Sequence, residues 1–189
     1  PKKVRAVGLA HIPEDRNTRG LNRTMSIEEN LVAVEVDKAP YSKGMVMNSP
    51  AIDKHAEEMV KLFDIRPTDY KLPTSSLSGG NAQKVVVARE VSMNKKLLVA
   101  AQPTRGVDIG AIESIQKTLE EAKKNGAGVL LVSTELEEIT SLSDRIIVIH
   151  EGKITGELSA GEANENNLGL LMMGGSVEKK LEKEGEAHE

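Results

Sequence analysis

Two short apolar runs, Leu97-Leu98-Val99-Ala100-Ala101 and Val129-Leu130-Leu131-Val132, constrain this chain more than any other feature. Neither alternates with polar residues, so each reads as a strand buried on both faces. Between them, Asp108 can cap a helix over 109–125, and Gly126 stands just past its end. A short helix over 135–142 comes next. A strand over 146–149 then turns through Glu151-Gly152-Lys153 into another over 154–158. Buried strands separated by helices predict an α/β fold with a mainly parallel sheet and helices on its faces.

The first half is patterned differently. Residues 4–12 are apolar and β-leaning, and Pro13 stops them. Ser26 and Glu29 have the spacing of a capping box before Asn30-Leu31-Val32. Residues 41–47 read as a loop. Ser49 and Pro50 read as the cap and first residue of a helix whose apolar positions over 51–63 recur with helical period. Residues 67–76 read as a linker rich in Pro, Thr and Ser. A helix is predicted over 80–94, another over 167–173, and a charged tail over 176–189.

Composition narrows the function. Of 189 residues, 39% are hydrophobic and only 2% aromatic, so the core must be aliphatic. The net charge of -4 argues against a nucleic-acid surface. There is no cysteine, and hence neither a disulfide nor a thiolate metal site. His11, His55, His150 and His188 are scattered and make no metal set, so no metal is expected on this chain's own ligands. No apolar run approaches the ~20 residues of a membrane span. The opening Pro1-Lys2-Lys3 shows no signal peptide and no start Met, as in a piece of a longer polypeptide.

The sharpest motif is Leu77-Ser78-Gly79-Gly80-Asn81-Ala82-Gln83-Lys84. Two glycines let the backbone approach an anion closely. Their N–H groups lie where a helix begins, so the helix dipole favours negative charge there. Ser78 can add a hydroxyl donor. A flexible Ser/Gly linker is the competing reading, since Ser75, Ser76 and Ser78 cluster. The downstream residues decide between the two: an apolar helix, a buried strand, then Pro103-Thr104-Arg105-Gly106-Val107-Asp108.

That ordered set resembles the ATP-binding-cassette (ABC) ATPases. Residues 77–84 look like the family signature, 97–102 like its Walker B strand, 105–108 like its D-loop, and 129–158 like its switch region and closing hairpin. Ile12-Pro13-Glu14-Asp15-Arg16, Gly20-Leu21 and residues 26–31 resemble the second half of tandem ATPases serving sugar and nucleoside importers. The Ala101-Gln102 pair is closer to the nucleoside branch. The resemblance implies a partial RecA-like P-loop core with an α-helical subdomain. Its segments would be 1–24 (core with the Q-loop region, near Glu14), 25–78 (helical subdomain), 79–175 (core) and 176–189 (tail).

Departures from the family pattern carry the mechanism. No glycine-rich loop ending Gly-Lys-Ser/Thr is present in the sequence. The resemblance thus implies part of a half, or a phosphate loop on another chain. Ala101 stands where the family's Mg²⁺-holding Asp is expected, Gln102 where the catalytic Glu is, and Thr134 where the switch His is. A neutral amide cannot accept the attacking water's proton, so the ~10²–10⁴-fold term of general-base catalysis is absent. The resemblance implies that Ser78, Gly79, Gly80 and Gln83 clamp the γ-phosphate of ATP held by a partner half, and that Asp108 seals the dimer. ATP and Mg²⁺ are expected only in the assembled dimer. Expected partners are an N-terminal ABC half or second ATPase subunit, membrane permease subunits and, indirectly, an extracytoplasmic solute-binding protein. No nucleic acid is expected. The expected location is cytoplasmic, peripheral at the inner face of the cell membrane. Two other readings remain open: the C-terminal lobe of an ABC-type DNA-repair or chromosome ATPase, and a structural module without nucleotide contact. The first would want heptads before the signature and a basic face, and neither is visible.

Overall fold

A computed structural model describes residues 2–93 and 95–176. The chain divides into two compact units, Pro1–Thr134 and Glu135–Glu189. The boundary falls inside the 79–175 stretch expected to be one segment. Among the described residues, β-pairing does not cross it.

In the first unit, strands β1 (Leu9–Ile12), β4 (Leu97–Ala101) and β5 (Gly128–Val132) form a parallel sheet in the order β1-β4-β5. Ala10, Ile12, Leu98 and Ala100 lie buried on one face. Helix α4 (Gly79–Val91) packs against β1, and α5 (Ile109–Lys124) against both β5 and α4. Those helices contribute Val85, Val86, Ala88, Ala111, Ile115 and Leu119 to the core. The other face of the sheet is less covered: Leu130 and Val132 keep 54% and 52% of their surface exposed. The expected parallel α/β fold is present.

The caps explain where the helices start. Ser26 Oγ accepts from Glu29 N while the Glu29 carboxylate accepts from Ser26 N, a complete capping box opening α2 (Ile27–Val32). Asp108 accepts from Ala111 N at 3.0 Å and opens α5. Helix α3 (Ser49–Leu62) is capped by Asn48, one residue earlier than predicted, so Pro50 sits in its first turn. Helix α2 packs against both α3 and α4.

Three local expectations change. Residues 4–12 are not one strand: α1 (Lys2–Ala6) precedes Gly8, whose φ of 103° breaks the chain before β1 begins. Residues 41–47 are not a plain loop, because β2 (Ser42–Lys43) and β3 (Val46–Met47) pair as a hairpin across Gly44. The 67–76 stretch is not a free linker. Thr74 is buried, its hydroxyl donates to Asn22 O at 3.1 Å, and Pro73 bridges to Ser26.

The second unit holds α6 (Leu136–Leu142), the antiparallel pair β6 (Arg145–His150) and β7 (Lys153–Ser159), and α7 (Glu165–Met172). Ile146, Val148, Leu158, Leu168 and Leu171 form its core. Beyond Ser176, the tail expected over 176–189 lies outside the described residues.

Candidate functional site

The signature residues occupy the N-terminus of α4. Ser78 is the N-cap: its hydroxyl oxygen accepts from Asn81 N at 3.4 Å and from Asn81 Nδ2 at 3.0 Å. A hydroxyl that accepts here keeps its own hydrogen for another acceptor. Ser78 is exposed, Gly79 half-buried and Gly80 buried. The two glycines have different structural reasons. A Cβ on Gly79 would stand 2.8 Å from an Arg16 Nη and 3.1 Å from Gly106 O. A Cβ on Gly80 would stand 2.5 Å from Asp108 Oδ2 and 3.0 Å from Ala111 Cβ.

Gln83 is placed differently from Ser78 and Gly79. It is only 2% exposed, and its amide donates to Pro103 O at 2.8 Å. One turn into α4, its side chain points at the core and fastens the helix to the turn after β4.

Ala101 closes β4 and Gln102 follows it directly. Ala101 has no ligand atom. Gln102 adopts a left-handed φ of 48°, uncommon for a non-glycine residue. Its N–H donates to Val132 O at 2.8 Å, and its amide Nε2 donates to Thr134 Oγ1 at 3.2 Å. These two sequence-predicted positions are therefore brought together, joined by a neutral hydrogen bond.

The Glu14-Asp15-Arg16 segment is held by both distant and local partners. Glu14 pairs with Arg105 across 91 positions. Asp15 caps a π-helical turn over Arg16–Gly20, accepting from Asn17 N and Thr18 N. Those bonds, led by the one from the Thr18 hydroxyl, hold the Asp15 carboxyl below its ordinary value. Arg16 donates to Arg105 O at 2.8 Å and to Gly106 O at 3.1 Å. Glu14, Arg16, Arg105, Gly106, His11 and Ala101 are among the residues that line an open cleft of about 730 Å³. Sequence reasoning gave Arg16 no role of its own; its bonds to Arg105 O and Gly106 O are invisible to spacing.

The comparisons with known proteins meet this geometry. The family model described as ABC transporter matches residues 3–105, through the π-helical turn, the signature, β4 and the turn behind it. The chain belongs to the ABC transporter family.

Among curated proteins, this ABC segment is 44% identical over 94% of its length to the nucleoside import ATP-binding protein NupA of Lactococcus lactis, covering 35% of that protein. It is 45% identical over 92% of its length to the guanosine import ATP-binding protein NupO of Bacillus subtilis, covering 34% of it. The ribose import ATP-binding protein RbsA of Bacillus cereus is 38% identical over 88% of the chain. The chain thus spans about a third of the length of these relatives. A solved ATP-binding cassette, a dimer in a post-hydrolysis state bound to ADP and Pi, superposes with a TM-score of 0.70 at 23% identity. That match covers 84% of this chain and 65% of the other, and it shows the shared fold.

Proposed function

We propose that this ABC segment is the signature-bearing part of the second cassette of an importer ATPase, and that it does not hydrolyse ATP at its own site. The observation that carries the reading is a contrast within one unit. Ser78 stands exposed at the start of α4 with Gly79 half-buried beside it, where two backbone N–H groups and a hydroxyl can grip an anion. Ala101, Gln102 and Thr134 offer neither carboxylate nor imidazole. The residues present do not fit a Mg²⁺ ion, a hard cation that prefers carboxylate oxygens, so the ion is assigned to groups outside this chain. The ATP gripped here is held by a partner cassette, and Ser78, Gly79 and Gly80 complete its site in trans. Asp108 lies against Gly80 and seals that edge. Gln83 supports from behind.

The nucleoside and guanosine import proteins are 44% and 45% identical to this chain, against 38% for the ribose protein, which favours a nucleoside importer. Permease subunits, and through them a solute-binding protein, are the partners of such an assembly. No helix among the described residues is long and apolar enough to cross a membrane. A peripheral seat at the inner face of the membrane fits the proposed role.

The test uses the full-length importer ATPase assembled with its permease subunits. Ser78→Arg should abolish ATP turnover by filling the trans phosphate site. Gln102→Ala should leave turnover unchanged. Turnover that survives Ser78→Arg, or that collapses with Gln102→Ala, overturns the reading.

A further inference from the structure

We propose that Arg16 is a positioning residue for the signature loop, making the aim of the first N–H groups of α4 depend on where the 105–108 turn sits. The functional consequence rests on the trans phosphate contact proposed above; the mechanical link stands on geometry alone.

Arg16 is seated from two sides. The Asp15 cap fixes its backbone at the start of the π-helical turn. The end of that turn is pressed onto α4: a Cβ on Gly20 would come within 3.1 Å of Val86 Cγ2 and 3.3 Å of Arg16 Cβ. From this seat the guanidinium crosses to a segment about 90 positions away. Nη1 donates to Arg105 O at 2.8 Å and Nη2 to Gly106 O at 3.1 Å. Two successive carbonyls match a planar fork, which a lysine ammonium cannot reproduce. The Arg105 side chain returns to Glu14, two residues before Arg16, so the two segments clasp each other reciprocally.

The clasp reaches both signature glycines. Gly79 lies under the guanidinium and Gly106 O, with no room for a Cβ. Two residues past Gly106, the Asp108 carboxylate lies against Gly80. A rotation of the 105–108 turn therefore acts on Gly79 through Arg16 and Gly106, and on Gly80 through Asp108.

Arg16 is not seated for its own satisfaction. Its Nε–H is buried without an acceptor, which is unfavourable. Its two hydrogen-bond acceptors are neutral carbonyls, and the neighbouring Asp15 carboxylate attracts it only through space. A residue held this way fixes geometry between loops; it does not serve as a surface ion pair.

Two measurements on the full-length protein test this. First, ATP turnover of the complex with its permease is titrated for Arg16→Lys and Arg16→Gln. Both should raise the KM for ATP by about fivefold or more, in the usual range for coupled sites. A variant that merely folds less well loses kcat at unchanged KM, and that outcome overturns the proposal. Rescue by Lys also overturns it, since charge acting directly on phosphate would then suffice. Second, amide exchange is followed without nucleotide. Arg16→Lys should speed exchange in residues 81–84 and 105–108 together, by about fivefold or more. Faster exchange in 105–108 alone, or in neither, overturns the link. If Ser78→Arg keeps its ATP turnover, the trans reading falls and the exchange experiment still decides the Arg16 link. If Ser78→Arg is inactive and Arg16→Lys leaves the KM unchanged, the trans reading stands and the positioning role falls.

Discussion

Gln83 and Pro103 are joined across the core: the buried amide of Gln83 donates to Pro103 O at 2.8 Å, tying α4 to the turn behind β4. Gln83→Leu keeps the volume but orphans a buried carbonyl. The expected cost is about 1–3 kcal/mol. Urea unfolding should show a lower midpoint at an unchanged m-value. A variant as stable as the parent would mean that the carbonyl finds another donor, and the assigned supporting role would fail.

Gly80 and Asp108 are coupled in the same way, by space instead of a hydrogen bond. In Gly80→Ala the new methyl would stand 2.5 Å from Asp108 Oδ2, so the carboxylate whose Oδ1 caps α5 must shift. Lost capping costs about 0.5–2 kcal/mol and overpacking about 1–3 kcal/mol. Because one carboxylate carries both effects, the costs should not add. Gly80→Ala in an Asp108→Ala background should cost clearly less than alone, as a double-mutant cycle measures. Strict additivity would show that Ala111 Cβ, and not Asp108, is the obstacle.

The elements legible in the sequence are those set by neighbours along the chain. The capping box at Ser26 and Glu29, the Asp108 cap and the apolar runs of β4 and β5 all depend on residues within a few positions. The others depend on distant partners. Residues 67–76 have a linker's composition, yet Thr74 is tied to Asn22, 52 positions away. Gln83 belongs to the signature pattern, but which way it points is decided by Pro103. Arg16 is the extreme case, since its acceptors are backbone carbonyls that carry no sequence signal. The apolar content over 4–12 is ambiguous between helix and strand, as short runs are.

Glu90 shows how costly an unread interaction can be. Its side chain is fully buried and accepts from Arg5 Nη1 at 2.7 Å, Arg89 Nε at 3.0 Å and His11 N at 3.1 Å. Burial lowers the Arg89 pKa, and the charge of Glu90 opposes that shift. Glu90→Leu would strand a guanidinium whose side chain is 6% exposed. The expected loss is about 3–5 kcal/mol by chemical denaturation. Removing both charges, as Arg89→Met with Glu90→Leu, should recover most of it. A double variant no better than Glu90→Leu would place the cost in Arg5 and the His11 N–H instead.

His55 gives the chain a pH dependence whose sign is set by its surroundings. It lies on α3 with its ring 5.2 Å from that of Tyr41, tilted by 58°. Burial lowers its pKa from the ordinary 6.5, outweighing the opposite pull of Glu58 and Glu35. Just below pH 6.5 the unfolded chain therefore binds a proton that the native chain does not. Protonation then favours the unfolded state, and stability falls as pH drops from about 6.5 towards the native pKa. Above 6.5 both states are neutral and this contribution is constant. Urea midpoints measured between pH 7.5 and 5 should decline in the parent and decline less in His55→Gln. Parallel declines in the two proteins would assign the pH dependence to other groups and show that the imidazole titrates alike in both states.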